Sequence, residues 1–85
     1  MPGAARLGDT ISHGGNIIDA SPNVLVNSIR VARLGDLVHC NVHGTQHITS
    51  ASGDTHANGI GIARLGDSIS CGAVITSASG NVIVN

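Results

Sequence analysis

Phenylalanine, tyrosine and tryptophan are absent from this sequence, and so are lysine and glutamate. Without aromatic rings the chain lacks the side chains that ordinarily contribute the largest buried areas. Its apolar set is chiefly isoleucine, valine, leucine and alanine, and twelve glycines add backbone entropy that folding must overcome. In a single domain of 85 residues, such a core barely offsets the entropy of ordering the chain. A disulfide, a metal or an obligate partner is therefore expected to supplement it.

Charge is equally sparse. The basic residues are Arg6, Arg30, Arg33 and Arg64, the acids Asp9, Asp19, Asp36, Asp54 and Asp67, and the net charge is −1 with histidine neutral. No basic patch exists to neutralise phosphates, which argues against nucleic acid as a partner. The opening Met1-Pro2-Gly3-Ala4-Ala5-Arg6 has no apolar stretch of the kind a secretory signal needs, which predicts a cytoplasmic starting location. No run approaches the ~18 apolar residues of a membrane helix. Two cysteines, Cys40 and Cys71, in such a chain point to reduced thiols or metal ligands rather than a structural disulfide.

What the sequence does contain is repetition. Ala-Arg-Leu-Gly-Asp stands at residues 5–9, 32–36 and 63–67. The first copy runs on without a gap against the third, the two ending in Asn-Val-Leu-Val-Asn at Asn27 and Asn-Val-Ile-Val-Asn at Asn85. The middle copy carries four extra residues before it rejoins the register at Ile48-Thr49-Ser50. Three units follow, at about 5–31, 32–62 and 63–85. Each reads as short β-branched strands bounded by asparagine, serine, proline and glycine, with no sustained helical period. Three copies of a unit too small to bury itself predict pseudo-threefold packing around a shared axis, with a linear solenoid as the alternative. The repeated Arg-Leu-Gly-Asp predicts a tight turn with an ion pair across it.

Four residues after each motif aspartate stand His13, Cys40 and Cys71, which a threefold axis would bring together. The middle unit adds His39, His43 and His47. Imidazole and thiolate together suit tetrahedral zinc, and four protein ligands would make the site structural, with no position left for a reactive water. Two arguments about the ligand set conflict. Were residues 39–43 extended, His39 and His43 would share one face and Cys40 the other. Repeat symmetry favours Cys40 instead. A hydrolase would need an open coordination position and a nearby acid or base, yet there is no glutamate and three aspartates belong to the repeated turn. A free-standing zinc-binding module is the other non-enzymatic class. His56, aligned with Leu25 and Ile83 of the sister units, reads as a surface or interface residue.

These phrases resemble those of the PAAR-repeat family over essentially the whole chain. Arg30-Val31-Ala32-Arg33 and Gly61-Ile62-Ala63-Arg64, each followed by Leu-Gly-Asp, stand where the family has Pro-Ala-Ala-Arg. Ser12-His13-Gly14-Gly15, Cys40 with His43-Gly44, Ser70-Cys71-Gly72 and Ser21-Pro22-Asn23-Val24-Leu25-Val26-Asn27 match its other phrases, while the middle copy of the last has become Ser52-Gly53-Asp54-Thr55-His56-Ala57-Asn58. The resemblance implies an all-β cone of short strands closed near its vertex by a structural zinc on three histidines and one cysteine. Carried over, that set is His13, His39, His43 and Cys71, with Cys40 the rival of His39. It further implies a monomer seated on a trimeric VgrG-like β-helical spike, of a type VI secretion system or a phage tail. Leu25, His56 and Ile83 are then the candidate spike contacts, effector proteins are separate chains, and contact with a target envelope is transient.

Overall fold

A computed structural model describes residues 2–84; Asn85, where the third unit ends, lies outside them. Among the described residues there is no helix. Seven short strands occur: β1 (Gly15–Ile17), β2 (Leu25–Val26), β3 (Ile29–Arg30), β4 (Leu37–Cys40), β5 (Gly44–His47), β6 (His56–Ala57) and β7 (Ile60–Gly61). They form an antiparallel sheet in the order β1-β4-β5 and two hairpins, β2–β3 and β6–β7.

Local sequence sets the turns. Asn27-Ser28 and Asn58-Gly59 link the two small hairpins, all four with positive φ (54°, 65°, 54° and 76°). That is the two-residue type I′ geometry, whose twist matches that of the strands it joins. In the third unit the equivalent pairing is the bridge between Gly3 and Ile83, where the two ends of the described chain meet. In each Arg-Leu-Gly-Asp turn the glycine takes φ between 85° and 89° (Gly8, Gly35, Gly66), and nothing crowds the place of its missing Cβ. Backbone conformation, not space, selects glycine there.

Repetition becomes a closed ring. The N–H of Ala5 donates to the carbonyl of Ala63 (2.9 Å), that of Ala63 to Ala32 (3.0 Å) and that of Ala32 to Ala5 (2.9 Å). All three alanines are fully buried, and a larger side chain at the axis would force the three backbones apart. A second cycle ties the tail of each unit to the residue just before the next Ala-Arg-Leu-Gly-Asp motif. Ser21 donates to Val31 (2.8 Å), Ser52 to Ile62 (2.9 Å) and Ser79 back to Ala4 (2.9 Å). Closure of both cycles excludes the linear solenoid, in which first and last units never touch. The extents, 29 × 23 × 23 Å, have the two equal minor dimensions that a threefold axis along the major one produces.

Two apolar layers stack along the ring. One contains Ile11, Val38 and Ile69, then Ile17, Ile48 and Ile75, with the three axial alanines, Cys40 and Ala73. The other contains Ala4, Val31 and Ile62 with Val26, Ala57 and Val84. Each trio is one position repeated in three units, so small aliphatic residues recur where three copies converge.

Polar groups join the units around these layers. Asp9, Asp36 and Asp67 are buried, and each accepts the N–H of its own motif arginine (2.7–2.8 Å) as well as the guanidinium. The expected turn with an ion pair across it is present in all three units. Hydrogen bonding to Asp36 and Asp67 outweighs burial and holds Arg33 and Arg64 above the ordinary arginine range. Asn27 donates to Asn81 (2.8 Å) and accepts from Ser79 (2.6 Å) and Arg6 (3.3 Å). Asn58 repeats the pattern with Asn23, Ser21 and Arg33. These amides lace each unit to a neighbour, a role the repeated terminal asparagine could have signalled but the sequence reading did not assign.

Candidate metal centre

Each unit brings one ligand-bearing residue toward the axis just after its first core strand position. His13 and Cys71 sit in the turns Ser12-His13-Gly14 and Ser70-Cys71-Gly72, and Cys40 ends β4. The four extra residues of the middle unit form the end of the β4–β5 hairpin, whose turn, residues 41–43, presents His43. The ligand atoms of His13, Cys40, His43 and Cys71 all lie within 4.8 Å of one another.

The internal distances test whether a metal fits. An ion bonded to sulfur at about 2.3 Å and to imidazole nitrogen at about 2.0–2.1 Å in tetrahedral geometry separates its two sulfurs by about 3.8 Å and sulfur from nitrogen by about 3.5 Å. Cys40 Sγ and Cys71 Sγ stand 3.5 Å apart. Cys40 Sγ is 3.7 Å from both His13 Nδ1 and His43 Nδ1, and Cys71 Sγ is 3.6 Å from His13 Nδ1. The edges agree to a few tenths of an ångström, and both histidines offer the same nitrogen. The cluster could hold a metal ion with two sulfur and two nitrogen ligands.

Electrostatics point the same way. Burial, the largest influence on the Cys40 thiol, pushes its pKa up, but the backbone N–H groups of Val42 and His43 and the imidazoles of His43 and His13 together bring it down to about 6. The tight turn is what aims those two N–H groups at the sulfur. A thiolate that is already favoured is the form a metal binds.

His39 lies outside this group. Along β4 burial alternates, with Leu37 and His39 exposed and Val38 and Cys40 buried. His39 stands on the outer face between Asn16 of β1 and Thr45 of β5. The resemblance offered His39, with Cys40 as its rival, beside His13, His43 and Cys71; the structure brings Cys40 to these three and leaves His39 apart, so the group contains two histidines and two cysteines. The reason is that residues 39–43 are not extended. The strand ends at Cys40 and the chain turns, so His43 comes back to the side of Cys40 and the conflict between alternation and symmetry dissolves. His47, also on the outer face, pairs with Leu37.

At the other end of the ring, Leu25 on β2, His56 on β6 and Ile83 occupy equivalent positions beside the second core layer. Leu25 is 57% and Ile83 50% exposed, and His56 is exposed as well. Ile29, Ile60 and Val82 add further exposed apolar surface close by in sequence.

Comparison with known proteins adds one finding. A family model described as the PAAR motif matches residues 7–85, nearly the whole chain. No curated protein matches it.

Proposed function

Because the chain belongs to the PAAR motif family, we propose that it is the non-enzymatic tip of a contractile injection spike. In this reading it caps the blunt end of the trimeric VgrG-like β-helix of a type VI secretion system, with a zinc ion closing its apex. The observation that carries the reading is the hydrogen-bonded ring of Ala5, Ala32 and Ala63. It gives a single chain the threefold symmetry of a trimer, so one copy can meet three identical spike subunits in the same way.

The ends of the ring suit different tasks. Ligand atoms gather at one, on His13, Cys40, His43 and Cys71. Two imidazoles and two thiolates are a donor set that zinc favours, and when bound the metal supplies four bonds that sharpen a vertex too narrow for side chains to pack. The four residues hold one another in place through rigid turns, and the completed tetrahedron leaves no coordination position for a substrate. At the opposite end the exposed Leu25 of β2 and His56 of β6, with Ile83 in its bridge to Gly3, are the positions that would extend the trimer's sheets by strand addition. The chain waits in the cytoplasm, helps carry effector proteins, and is driven with the spike through the target envelope when the sheath contracts.

Metal analysis of purified protein, combined with gel filtration on a trimeric VgrG-like spike fragment, tests both halves. The expected result is one zinc per chain and one chain per trimer. Leu25→Asp with Ile83→Asp should keep the zinc and abolish co-elution. Co-elution that survives the double substitution refutes the placement of the base, and wild-type protein that never co-elutes refutes the capping role.

A further inference from the structure

We propose that Cys40 and Cys71 provide a second, covalent closure of the apex: when no metal is bound, a small disulfide oxidant converts them to an intramolecular disulfide. The proposal rests on reading the cluster as a metal centre. Its ground is the pair itself. The two sulfurs come from equivalent positions of different units, 31 residues apart in sequence, yet lie 3.5 Å from each other. A disulfide bond is about 2.05 Å long, so the sulfurs must approach by only about 1.5 Å.

The two residues are unequally placed to react. Cys40 is 1% exposed and fixed at the end of a paired strand. Cys71 is half-buried in a turn that continues into Gly72, where φ is +92° and no atom lies within 4 Å of the place a Cβ would occupy. Cys71 therefore meets the oxidant, and its open turn supplies the remaining movement. Its thiolate attacks the disulfide RS–SR, forming Cys71–S–SR and releasing RS⁻. The Cys40 thiolate then attacks Cys71 Sγ and expels the second RS⁻. The cysteine pair loses two electrons, the oxidant gains them, and the two thiol protons leave on two RSH.

Metal and disulfide exclude each other, because the bond consumes two of the four ligands and leaves only His13 and His43. A tip that is stripped of its ion, or that passes from a reducing into an oxidising compartment, thus keeps a closed vertex.

The test treats the whole chain, stripped with a chelator, with oxidised glutathione and follows intact mass, free thiols and Tm. Two hydrogens should be lost, both thiols should disappear together, Tm should rise by at least about 10 °C, and dithiothreitol should reverse all three. Zinc-loaded protein should react at least about tenfold more slowly, since coordination withdraws both thiolates. Cys40→Ser should trap a stable glutathione adduct on Cys71, and Cys71→Ser should form its adduct at least about tenfold more slowly. The same reaction in urea separates folded proximity from chain diffusion. Ring closure in urea should be slower by about tenfold or more. Stripped protein that ends as glutathione adducts or intermolecular dimers, keeps its thiols, or closes no faster than in urea overturns the proposal. Protein that binds no zinc yet forms the disulfide would instead defeat the metal reading and leave this one standing.

Discussion

Replacing Cys40 by serine and His39 by alanine in separate variants discriminates between the two ligand sets, and the structure fixes the size of each effect. Structural zinc contributes on the order of 10–16 kcal/mol in small domains. Loss of one of four ligands then costs roughly a quarter of this, about 2.5–4 kcal/mol, or a factor of about 10²–10³ in zinc Kd. Serine fits the buried site of Cys40 and can still accept the N–H groups of Val42 and His43. The metal-free fold should accordingly lose only about 1 kcal/mol. His39 faces outward across from Thr45, so His39→Ala should change stability by no more than about 0.5 kcal/mol and leave zinc affinity untouched. Competition against a chromophoric zinc chelator at neutral pH measures affinity, and melting with and without chelator measures the linked stability. Zinc released by His39→Ala but retained by Cys40→Ser, or two variants indistinguishable from wild type, would refute the assignment of Cys40.

Two further outcomes follow from comparing units and from the thiol. Ser77 donates to Asp9 (3.1 Å) and Ser50 to Asp67 (2.9 Å), but the equivalent position beside Asp36 holds Asp19, an anion where the sisters have a donor. Asp19→Ser should restore that hydrogen bond and stabilise by about 1 kcal/mol, raising Tm by about 4–8 °C; thermal melting showing a lower Tm would refute it. In metal-free protein the Cys40 thiol titrates near 6 in the fold against an ordinary value of 9.0. The unfolded chain then binds more protons between those values, so the contribution is complete above pH 9 and declines as pH falls toward 6. Urea titrations in chelator should show stability rising from pH 6 to 9, and Cys40→Ala should flatten that slope.

The global arrangement was legible because it follows from counting. Three copies of Ala-Arg-Leu-Gly-Asp place one alanine per unit at the same point, and only closure about an axis lets the three N–H and C=O groups satisfy each other. His13, Cys40 and Cys71 inherit the same equivalence. His43 does not, because it belongs to the segment that has no counterpart, and His39 stands where the sister units have Ser12 and Ser70. The sides of the two histidines depend on where β4 stops, and a periodicity of two gives the wrong answer once the chain turns. A clue was present: Asn41 opens the three-residue loop between Cys40 and Gly44, and Gly44 follows it with φ 80°. The asparagine lacing was missed for another reason. Asn27 and Asn58 act across units, and a repeat read along the chain shows which residues recur without showing which neighbour each recurrence touches.

In the proposed tip, the inserted segment also gives a reason for one chain rather than three to form the metal-binding end. A threefold axis delivers ligands in threes, and here it delivers His13, Cys40 and Cys71. A tetrahedral ion needs a fourth, and any residue that breaks the threefold pattern must be present once. In a true homotrimer an insertion carrying His43 would occur three times, and three such turns would compete for one vertex. Triplication within a single chain removes that difficulty. Two units stay compact at this end, the middle one gains four residues, and the turn of the β4–β5 hairpin brings His43 to the other three ligand residues. Threefold placement is thus kept in the alanine ring and at Leu25, His56 and Ile83, and broken where the coordination number demands a fourth ligand.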